Sequence, residues 1–428
     1  MNLTKRENTR TGETIYCGKH SSGLEIFIMP KKGYSQNFAL FGTRYGSVDS
    51  EFIVPGETEV TKVPDGIAHY LEHKMFDMPD GSNVFDKFSK YGGNANAFTS
   101  FNMTAYLFSA TENLYENLAV LLDYVQRPYF TQESVEKEQG IIGQEIRMYD
   151  DNAGWKVFFN LLGCLYKENP VKLEIAGTID TIAKINSDYL YKCYNTFYNL
   201  SNMMIFVTGD LDVAKTVNVI ESNILKNEPF EVDIKRIYPK EPDEIAKPYA
   251  EQKLSVSKPV FMMGYKDCDV GYGGEKLLKK IIELNILTIM LFGKASPVYK
   301  KLYDEGLINQ TFGAEYNPQI DYGFTAIEGE SDNPQAVYDT IIEMLDNTTL
   351  SKEDFERTKR VAWGDYIRSH NDIEDFAHDF MSMHFMGVDY FDYYNVYSSV
   401  TFEDVEKRFK EHFRKDRSVL SVVKPVEG

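Results

Sequence analysis

His69, Glu72 and His73 stand in the pattern H-x-x-E-H, and these residue types at this spacing are suited to metal chemistry. On a helix, residues four apart lie on one face, so the two imidazole rings would point the same way. Two such rings can reach one Zn²⁺ through nitrogen atoms at about 2.0–2.1 Å. The carboxylate of Glu72 would lie beside the ion, where it can take a proton from an attacking water. The pattern therefore predicts a zinc site with Glu72 as general base.

The pattern is unlikely to arise by accident in a chain of this composition. With 7 His and 65 acidic residues among 428, fewer than about two such chains in a hundred would contain it by chance. The competing interpretation is a pair of ordinary surface histidines beside a solvated glutamate. The surrounding sequence has to decide between the two.

A catalytic zinc site normally has three protein ligands and a water, so two histidines leave the site one ligand short. Glu138 and Glu145 are the candidates, because they are seven residues apart on a helix predicted over 131–150 and so share a face. Gly140 and Gly143 lie between them, and glycine is costly inside a helix. We therefore expect another element, with the motif helix as the candidate, to pack closely on this side.

The order of predicted elements divides the chain into two halves. Residues 94–109 have the composition of a pair of strands, and three predicted helices then precede a strand at 203–207. Residues 227–248 contain four of the 15 prolines and many charges, which is typical of a linker. Beyond them the element order begins again without the H-x-x-E-H pattern. We predict a metal-binding domain over 1–230 and a related domain without the motif over 231–428.

Composition and charge exclude several classes of protein. A net charge of −19 disfavours nucleic-acid binding, which needs a basic surface. The acidity indicates either plain solubility or an acidic cavity that attracts basic peptides. The four cysteines form no C-x-x-C pair, which argues against a thiolate zinc site and fits a reducing compartment. The first 23 residues are polar, and the apolar stretch at 281–292 is short and interrupted, so we expect a cytoplasmic protein without a membrane partner.

The sequence resembles the pitrilysin/insulinase family of zinc peptidases, the inverzincins, which includes the mitochondrial processing peptidase, and it is most similar to small bacterial members. The matching stretches are G-I-A-H-Y-L-E-H-K-M-F at 66–76, N-A-F-T-S at 96–100, E-x6-E at 138–145 and V-T-G-D at 207–210. The resemblance implies an α+β fold of two tandem, structurally similar domains. Each domain would be a mainly antiparallel sheet flanked by helices.

Carried over residue by residue, the resemblance implies one Zn²⁺ on His69, His73 and Glu145. Glu72 would be the general base, and Glu138 would support the ligands from behind. The family lays its peptide substrate along an edge strand, which here corresponds to four residues. These four substrate-binding candidates are Asn96, Ala97, Phe98 and Thr99. An interior hairpin is the alternative for that stretch.

The second half departs from the family pattern at two positions. Active sites of the family are usually completed by an Arg and a Tyr on either side of a Gly-Leu pair, but the corresponding residues here are Leu302 and Asn309. Lys301 and Tyr303 lie nearby but out of register. Donors to a developing oxyanion are worth about 10²–10³ in rate. We therefore expect a hetero- or homodimer in which a related subunit supplies the Arg/Tyr pair.

These observations together favour a zinc endopeptidase subunit that hydrolyses peptides or small unfolded proteins. The main alternative is a non-catalytic peptide-binding or maturation factor of the same fold that is active only with, or supports, a partner. The absent Arg/Tyr pair favours that alternative, whereas Glu72 argues against it, since a structural zinc site needs no free carboxylate there. A metal-dependent hydrolase acting on other substrates has little support.

Overall fold

The computed structural model describes residues 1–225 and 233–426. Positions 227–232 of the predicted linker lie outside the described residues. The described chain forms two compact units. Unit 1 comprises Met1–Ile146, Glu174–Tyr238 and His370–Phe385, and unit 2 comprises Arg147–Leu173, Pro239–Ser369 and Met386–Gly428.

The described ranges contain fifteen strands. They are β1 (Thr4–Asn8), β2 (Glu13–Lys19), β3 (Glu25–Pro30), β4 (Asn37–Thr43), β5 (Glu51–Ile53), β6 (Val60–Lys62), β7 (Asn94–Thr99), β8 (Thr104–Ala110), β9 (Met203–Gly209), β10 (Lys235–Arg236), β11 (Tyr249–Leu254), β12 (Val260–Lys266), β13 (Gly313–Pro318), β14 (Gly323–Glu330) and β15 (Ser418–Pro425).

The same ranges contain fifteen α-helices. They are α1 (Ile67–Lys74), α2 (Val84–Lys90), α3 (Leu114–Val125), α4 (Gln132–Asp150), α5 (Ala153–Leu165), α6 (Ile179–Ile182), α7 (Ser187–Phe197), α8 (Val213–Asn223), α9 (Gly274–Phe292), α10 (Pro297–Asp304), α11 (Pro334–Asp346), α12 (Lys352–Ser369), α13 (Ile373–Phe385), α14 (Tyr393–Ser399) and α15 (Phe402–His412).

Unit 1 is built on a seven-stranded sheet in the order β1-β2-β3-β9-β4-β8-β7. Its neighbouring strands run antiparallel except for β3 and β9, which are parallel. The central strands β4 and β9 are buried along their whole length, as expected for strands covered on both faces. Strand β7 pairs with β8 on one side and ends the sheet. The predicted strand pair at 94–109 is therefore a hairpin whose first strand is a sheet edge.

Unit 2 repeats the same strand arrangement in a five-stranded sheet, β11-β15-β12-β14-β13. Its one parallel pair, β11 with β15, occupies the place that β3 and β9 hold in unit 1. In unit 1 the strand β9 lies between β3 and β4, and in unit 2 the strand β15 lies between β11 and β12. In each sheet the strand that comes last in the sequence is therefore inserted between two earlier ones. The α+β fold with two similar, mainly antiparallel sheets is thereby confirmed.

Each unit contains a segment from the other half of the sequence, so the units differ from the predicted domains 1–230 and 231–428. Helix α5 belongs to unit 2, where Leu161 and Leu165 lie 3.0 and 3.2 Å from the position that a Cβ would take at Gly264. Helix α13 belongs to unit 1, where the sulfur of Met381 lies 2.3 Å from the corresponding position at Gly42. In each case a sheet glycine provides room for the side chains of a helix.

One helical stretch, 274–304, is long and apolar enough to cross a membrane by length and composition alone. The core helix of a soluble protein passes the same test, and 67% of the most apolar window is buried inside the structure. Its first part, α9, lies in the core of unit 2 with most of its apolar side chains buried.

Candidate metal centre

Helix α1 carries the H-x-x-E-H residues and is only eight residues long. A helix of this length is not stable in isolation, so its packing must hold it in place. Every residue of α1 except His73 is buried. The partly exposed His73, with 25% of its side chain accessible, therefore faces the side of the helix from which a metal or a substrate can approach.

Gly66 determines where helix α1 begins. It is the residue before the helix and has φ +90°, in the left-handed region that favours glycine. A Cβ at this position would lie 2.5 Å from the carbonyl oxygen of Ala176. The loop around Ala176 can approach the start of the motif helix this closely only because residue 66 has no side chain.

Contacts near the start of α4 bring that helix alongside α1. The hydroxyl of Tyr70 donates to the backbone oxygen of Val135, and Lys74 Nζ donates to the oxygen of Ser134 at 3.1 Å. The motif helix thus lies against α4, as expected, but not at Gly140, where no other part of the described chain lies within 4 Å of the position a Cβ would take; Gly143 is buried. Side-chain hydrogen bonds from α1, rather than close backbone packing at Gly140, link the two helices.

His69, His73 and Glu145 converge at this junction. His69 Nε2 lies 3.6 Å from Glu145 Oε1, and His73 Nε2 lies 3.4 Å from Glu145 Oε2. One potential ligand atom from each of the three residues lies within 4.8 Å of the other two. The structure thus brings together the three residues predicted as ligands from two separate helices.

Glu138 lies on the other side of the His73 ring, with its Oε1 3.1 Å from Nδ1. A carboxylate in this position holds the proton of the ring on Nδ1 and leaves Nε2 free to coordinate a metal. The side chains of Glu138 and Glu145 therefore contact the two opposite nitrogens of one imidazole. This is the placement predicted for Glu138.

Glu72 is only 8% exposed, and its Oε2 accepts a 2.6 Å hydrogen bond from the hydroxyl of Thr99. Burial raises the pKa of Glu72, while the nearby His69, the Thr99 hydroxyl and His73 oppose the change. A carboxyl with a raised pKa binds a proton more readily than an exposed one, which suits a group that accepts and returns protons.

The residues present fit a divalent cation. Burial lowers the pKa of His73, but the hydrogen bonds to Glu138 and Glu145, together with the charge of Glu72, raise it to about 10. A proton on this ring therefore occupies the position between carboxylates that a metal cation would take. The buried Nδ1 of His69 has no hydrogen-bond partner among the described residues, so the hydrogen-bonding capacity of this ring is not fully satisfied by the protein. Two imidazoles and one carboxylate are the donor set of several catalytic zinc sites.

A cleft of about 450 Å³ opens beside Glu72 and His73. Strand β7 lines one part of it through Asn96 and Ala97, and α4 lines another through a row of residues that includes Glu138. The unpaired edge of β7 therefore runs past the candidate metal centre. Asn96, Ala97, Phe98 and Thr99 lie on that edge strand, as the sequence predicted, whereas their contact with a substrate stays a prediction.

Sequence reasoning missed two features of this site. It named Thr99 only as part of a substrate strand and did not foresee its hydrogen bond to Glu72. It also missed the walls of the cleft, where Phe76 and Phe85 stack with ring centroids 4.6 Å apart. The spacing of Ser134, Glu138 and Ile141 on one face of α4 was the available signal for the opposite wall.

Leu302 and Asn309 stand where the family usually has the Arg and the Tyr, and both lie in unit 2. Leu302 is fully buried, and the amide of Asn309 donates to Glu330 Oε2 at 3.0 Å. Lys301 forms an ion pair with Glu305, 2.5 Å between Nζ and Oε1. Leu302 has no hydrogen-bonding side chain, and those of Asn309 and Lys301 already have partners within unit 2.

Fold and site together define a class, that of α+β proteins with two similar, mainly antiparallel sheets and a candidate metal centre on an H-x-x-E-H helix. Comparison with known proteins identifies the family. The family model described as "Insulinase (Peptidase family M16)" matches residues 53–179, and that described as "Peptidase M16 inactive domain" matches residues 184–361. The chain belongs to the M16 peptidase family. The resemblance noted from the sequence is confirmed.

Individual relatives agree with this assignment. The chain is 41% identical to the protein named "Uncharacterized zinc protease YmfH" from Bacillus subtilis, over 96% of this chain and 97% of that protein. Its structure is similar to that of an M16-like peptidase from Alicyclobacillus acidocaldarius, with a TM-score of 0.92 and 33% identity, covering 100% and 99% of the two chains. The periplasmic protease PqqL from Escherichia coli shares the fold at a TM-score of 0.75 and 19% identity. The superposition includes 100% of this chain and 48% of the PqqL chain.

Proposed function

We propose that this chain is the metal-binding subunit of a zinc-dependent endopeptidase that hydrolyses peptides or small unfolded proteins. The observation that carries the proposal is the convergence of His69, His73 and Glu145, with potential ligand atoms within 4.8 Å of one another. Glu72 lies beside them at the mouth of a cleft that a sheet edge borders. His69, His73 and Glu145 would hold one Zn²⁺.

A bound Zn²⁺ supplies Lewis-acid polarisation and makes water a stronger nucleophile near neutral pH. The protein residues do the rest of the chemistry. Glu72 takes a proton from the attacking water and returns it to the leaving amine. Glu138 holds the His73 ring in one tautomer and one orientation. The burial of Glu72 keeps its carboxylate partly desolvated and ready to accept the proton.

The edge of β7 supports the peptide part of the proposal. An extended peptide can add to an unpaired strand through backbone hydrogen bonds, which require little of the side chains. Asn96, Ala97, Phe98 and Thr99 would receive the substrate in this way. Because Thr99 also donates to Glu72, the strand that binds the peptide is directly connected to the general base.

A partner subunit is part of the proposal. The side chains of Leu302 and Asn309 are buried or already hydrogen-bonded, and neither reproduces the Arg/Tyr pair. The fold of this chain covers 94% of the first half of PqqL, a protein whose single chain is about twice as long. We propose a heterodimer in which a related subunit supplies the Arg and the Tyr, because a second copy of this chain would lack the same pair. The four free cysteines support a cytoplasmic location.

The test compares the wild-type chain with Glu72→Gln, alone and with any similar-sized subunit that co-purifies. Zinc content is measured on both proteins, and cleavage is followed on a pool of unstructured peptides. The proposal expects about one zinc per chain in both proteins and cleavage only by the wild type. Cleavage by both proteins alike, or a wild-type chain that binds no zinc, would contradict it.

A second candidate function is a non-catalytic peptide-binding or maturation factor. The fully buried Leu302 at the expected Arg position favours it, because no donor from this chain would then stabilise an oxyanion. In that case both proteins retain zinc, neither cleaves peptides with or without a partner, and the edge of β7 still binds them.

A further inference from the structure

The cleft beside Glu72 and His73 has an apolar part that is open to solvent. Phe85 is 41% exposed and Ile141 is 49% exposed, and both line the cleft. Phe85 stacks on Phe76 with the ring planes 6° apart. Large apolar side chains exposed around a concave surface mark a binding site for the apolar part of a ligand. This part of the cleft suits the methylene stem of a substrate side chain.

The carboxylates that line the cleft each have a partner within unit 1. Glu72 accepts from Thr99, Asp77 pairs with Lys74, and Glu138 contacts His73. The charge of Asp77 is balanced by the Lys74 ammonium, whereas the uncharged hydroxyl of Thr99 holds the Glu72 carboxylate without neutralising it. Every carboxylate that lines the cleft thus has a donor of its own, and the cation proposed at His69, His73 and Glu145 would offset the charge of Glu72.

Lys137 is the charged group lining the cleft that has no such partner among the described residues. It lies on α4 between Ser134 and Ile141, and all three line the cleft. Within residues 1–225 and 233–426, the Lys137 ammonium has no hydrogen bond and no ion pair. An unpaired cation beside an apolar wall matches a ligand group with an apolar stem and an anionic end.

The overall charge of the chain does not cancel this local effect. The chain carries −19, but at physiological ionic strength charges are screened beyond about 8 Å. A ligand group inside the cleft is therefore influenced mainly by the charges that line it. An acidic cavity that attracts basic peptides, the alternative considered from composition, predicts the opposite preference.

We propose that this cleft accepts an acidic side chain, glutamate rather than lysine, from a substrate residue next to the scissile bond, and that Lys137 selects it. The two methylene groups of glutamate would contact Phe85 and Ile141 while its carboxylate meets Lys137. The inference rests on the proposed function, because it assigns a substrate preference to that site. Lys137 would act in substrate selection only, and the roles proposed for Glu72 and for the candidate metal ligands stay the same.

The experiment measures peptide binding by the full-length Glu72→Gln chain loaded with zinc, so that no cleavage occurs. Fluorescently labelled peptides are identical except for Glu, Gln or Lys at either central position, and fluorescence anisotropy gives the Kd. The variants are Lys137→Gln and Lys137→Glu, each in the Glu72→Gln chain. Lys90→Glu is the matched control, because Lys90 is an exposed lysine of the same unit that does not line the cleft.

The glutamate peptide should bind about two- to fivefold more tightly than the lysine peptide, as expected for one solvent-accessible ion pair. Lys137→Gln should abolish the preference, Lys137→Glu should reverse it, and Lys90→Glu should leave it unchanged. Equal binding of the three peptides, a preference for lysine in the parent chain, no measurable binding, or the same change in the Lys90 control would overturn the inference.

Cleavage of the same peptides by the wild-type chain separates this inference from the proposed function. If the binding preference follows Lys137 but no peptide is cleaved with or without a partner, the endopeptidase proposal fails and the charge selection stands. If peptides are cleaved at rates independent of the central charge, and binding is equally independent, the charge selection fails and the endopeptidase proposal stands.

Discussion

Thr99 Oγ1 donates a 2.6 Å hydrogen bond to Glu72 Oε2, and this bond joins the edge strand of the sheet to the candidate general base. Thr99 Oγ1 also lies 3.3 Å from Thr104 Oγ1, whose hydroxyl donates to the backbone oxygen of Tyr45. Each hydroxyl has a single hydrogen, which Thr99 gives to Glu72 and Thr104 gives to Tyr45, so Thr99 alone orients the Glu72 carboxylate. A peptide added to β7 would lie directly beside this hydrogen bond.

Replacing Thr99 by Val should lower kcat about tenfold or more while changing KM little. Valine has the same shape but no hydroxyl, and a hydrogen bond to a charged group contributes about 1.5–3 kcal/mol. Steady-state kinetics on a cleaved peptide provides the measurement. Thr99→Ser keeps the hydroxyl and should retain most of the activity. Equal kcat for Val, Ser and wild type would show that the bond does not position Glu72.

Replacing Glu138 by Gln should weaken zinc binding about 10- to 100-fold, the usual effect of removing a carboxylate behind a metal-ligating imidazole. Glu138 Oε1 lies 3.1 Å from His73 Nδ1. Competition with a chelator gives the affinity without any activity assay. Glu136→Gln on the same helix is the control, because Glu136 is exposed and does not line the cleft. An equal loss in both variants would point to damage of α4 rather than of the metal centre.

Replacing Gly66 by Ala should destabilise the protein by about 3 kcal/mol or more and impair zinc binding. The substitution places a side chain in the left-handed region, which costs about 1–2 kcal/mol, and also 2.5 Å from the oxygen of Ala176. Gly12→Ala is the control, since Gly12 has φ +80° but nothing within 4 Å. Denaturant unfolding of both variants separates the cost of a side chain in the left-handed region from the cost of the contact with Ala176. Equal losses in both variants would show that the contact with Ala176 has no role.

His412 should make unit 2 sensitive to acid. Burial lowers its pKa to about 4, which nearby Asp267 opposes only in part, and its Nε2 lies 2.8 Å from Thr325 Oγ1. The unfolded state then takes up a proton near pH 6.5 that the folded state refuses until about pH 4. Stability from this residue is complete above pH 6.5, falls as the pH decreases, and is fully lost below about pH 4.

The measurement compares wild type with His412→Gln, which keeps a hydrogen-bonding side chain but does not titrate. Between pH 7.5 and pH 5 the wild type should lose about 2 kcal/mol more unfolding free energy than the variant. Denaturant titrations at the two pH values give both numbers. A parallel pH dependence of the two proteins would show that His412 is not the responsible group.

Local patterns in the sequence were sufficient for several parts of this structure. The side chains of His69 and His73 lie together because helical periodicity places residues four apart on one face. The same rule put Glu138 and Glu145 on one face of α4. The hairpin of β7 and β8 followed from the composition of the two strands. These features depend on neighbours within a few residues, so the chain order alone reveals them.

Only the tertiary structure decided how those pieces meet. The exchange of α5 and α13 between the units, with Met381 against Gly42, depends on contacts between residues far apart in the chain, which no local pattern encodes. The bond from Thr99 to Glu72 and the uncompensated charge of Lys137 arise in the same way. The sequence by itself determined which groups can do chemistry, because residue types and helical spacing are local. The fold decided which partner each group has and which charge the cleft presents, because both depend on distances between separate elements.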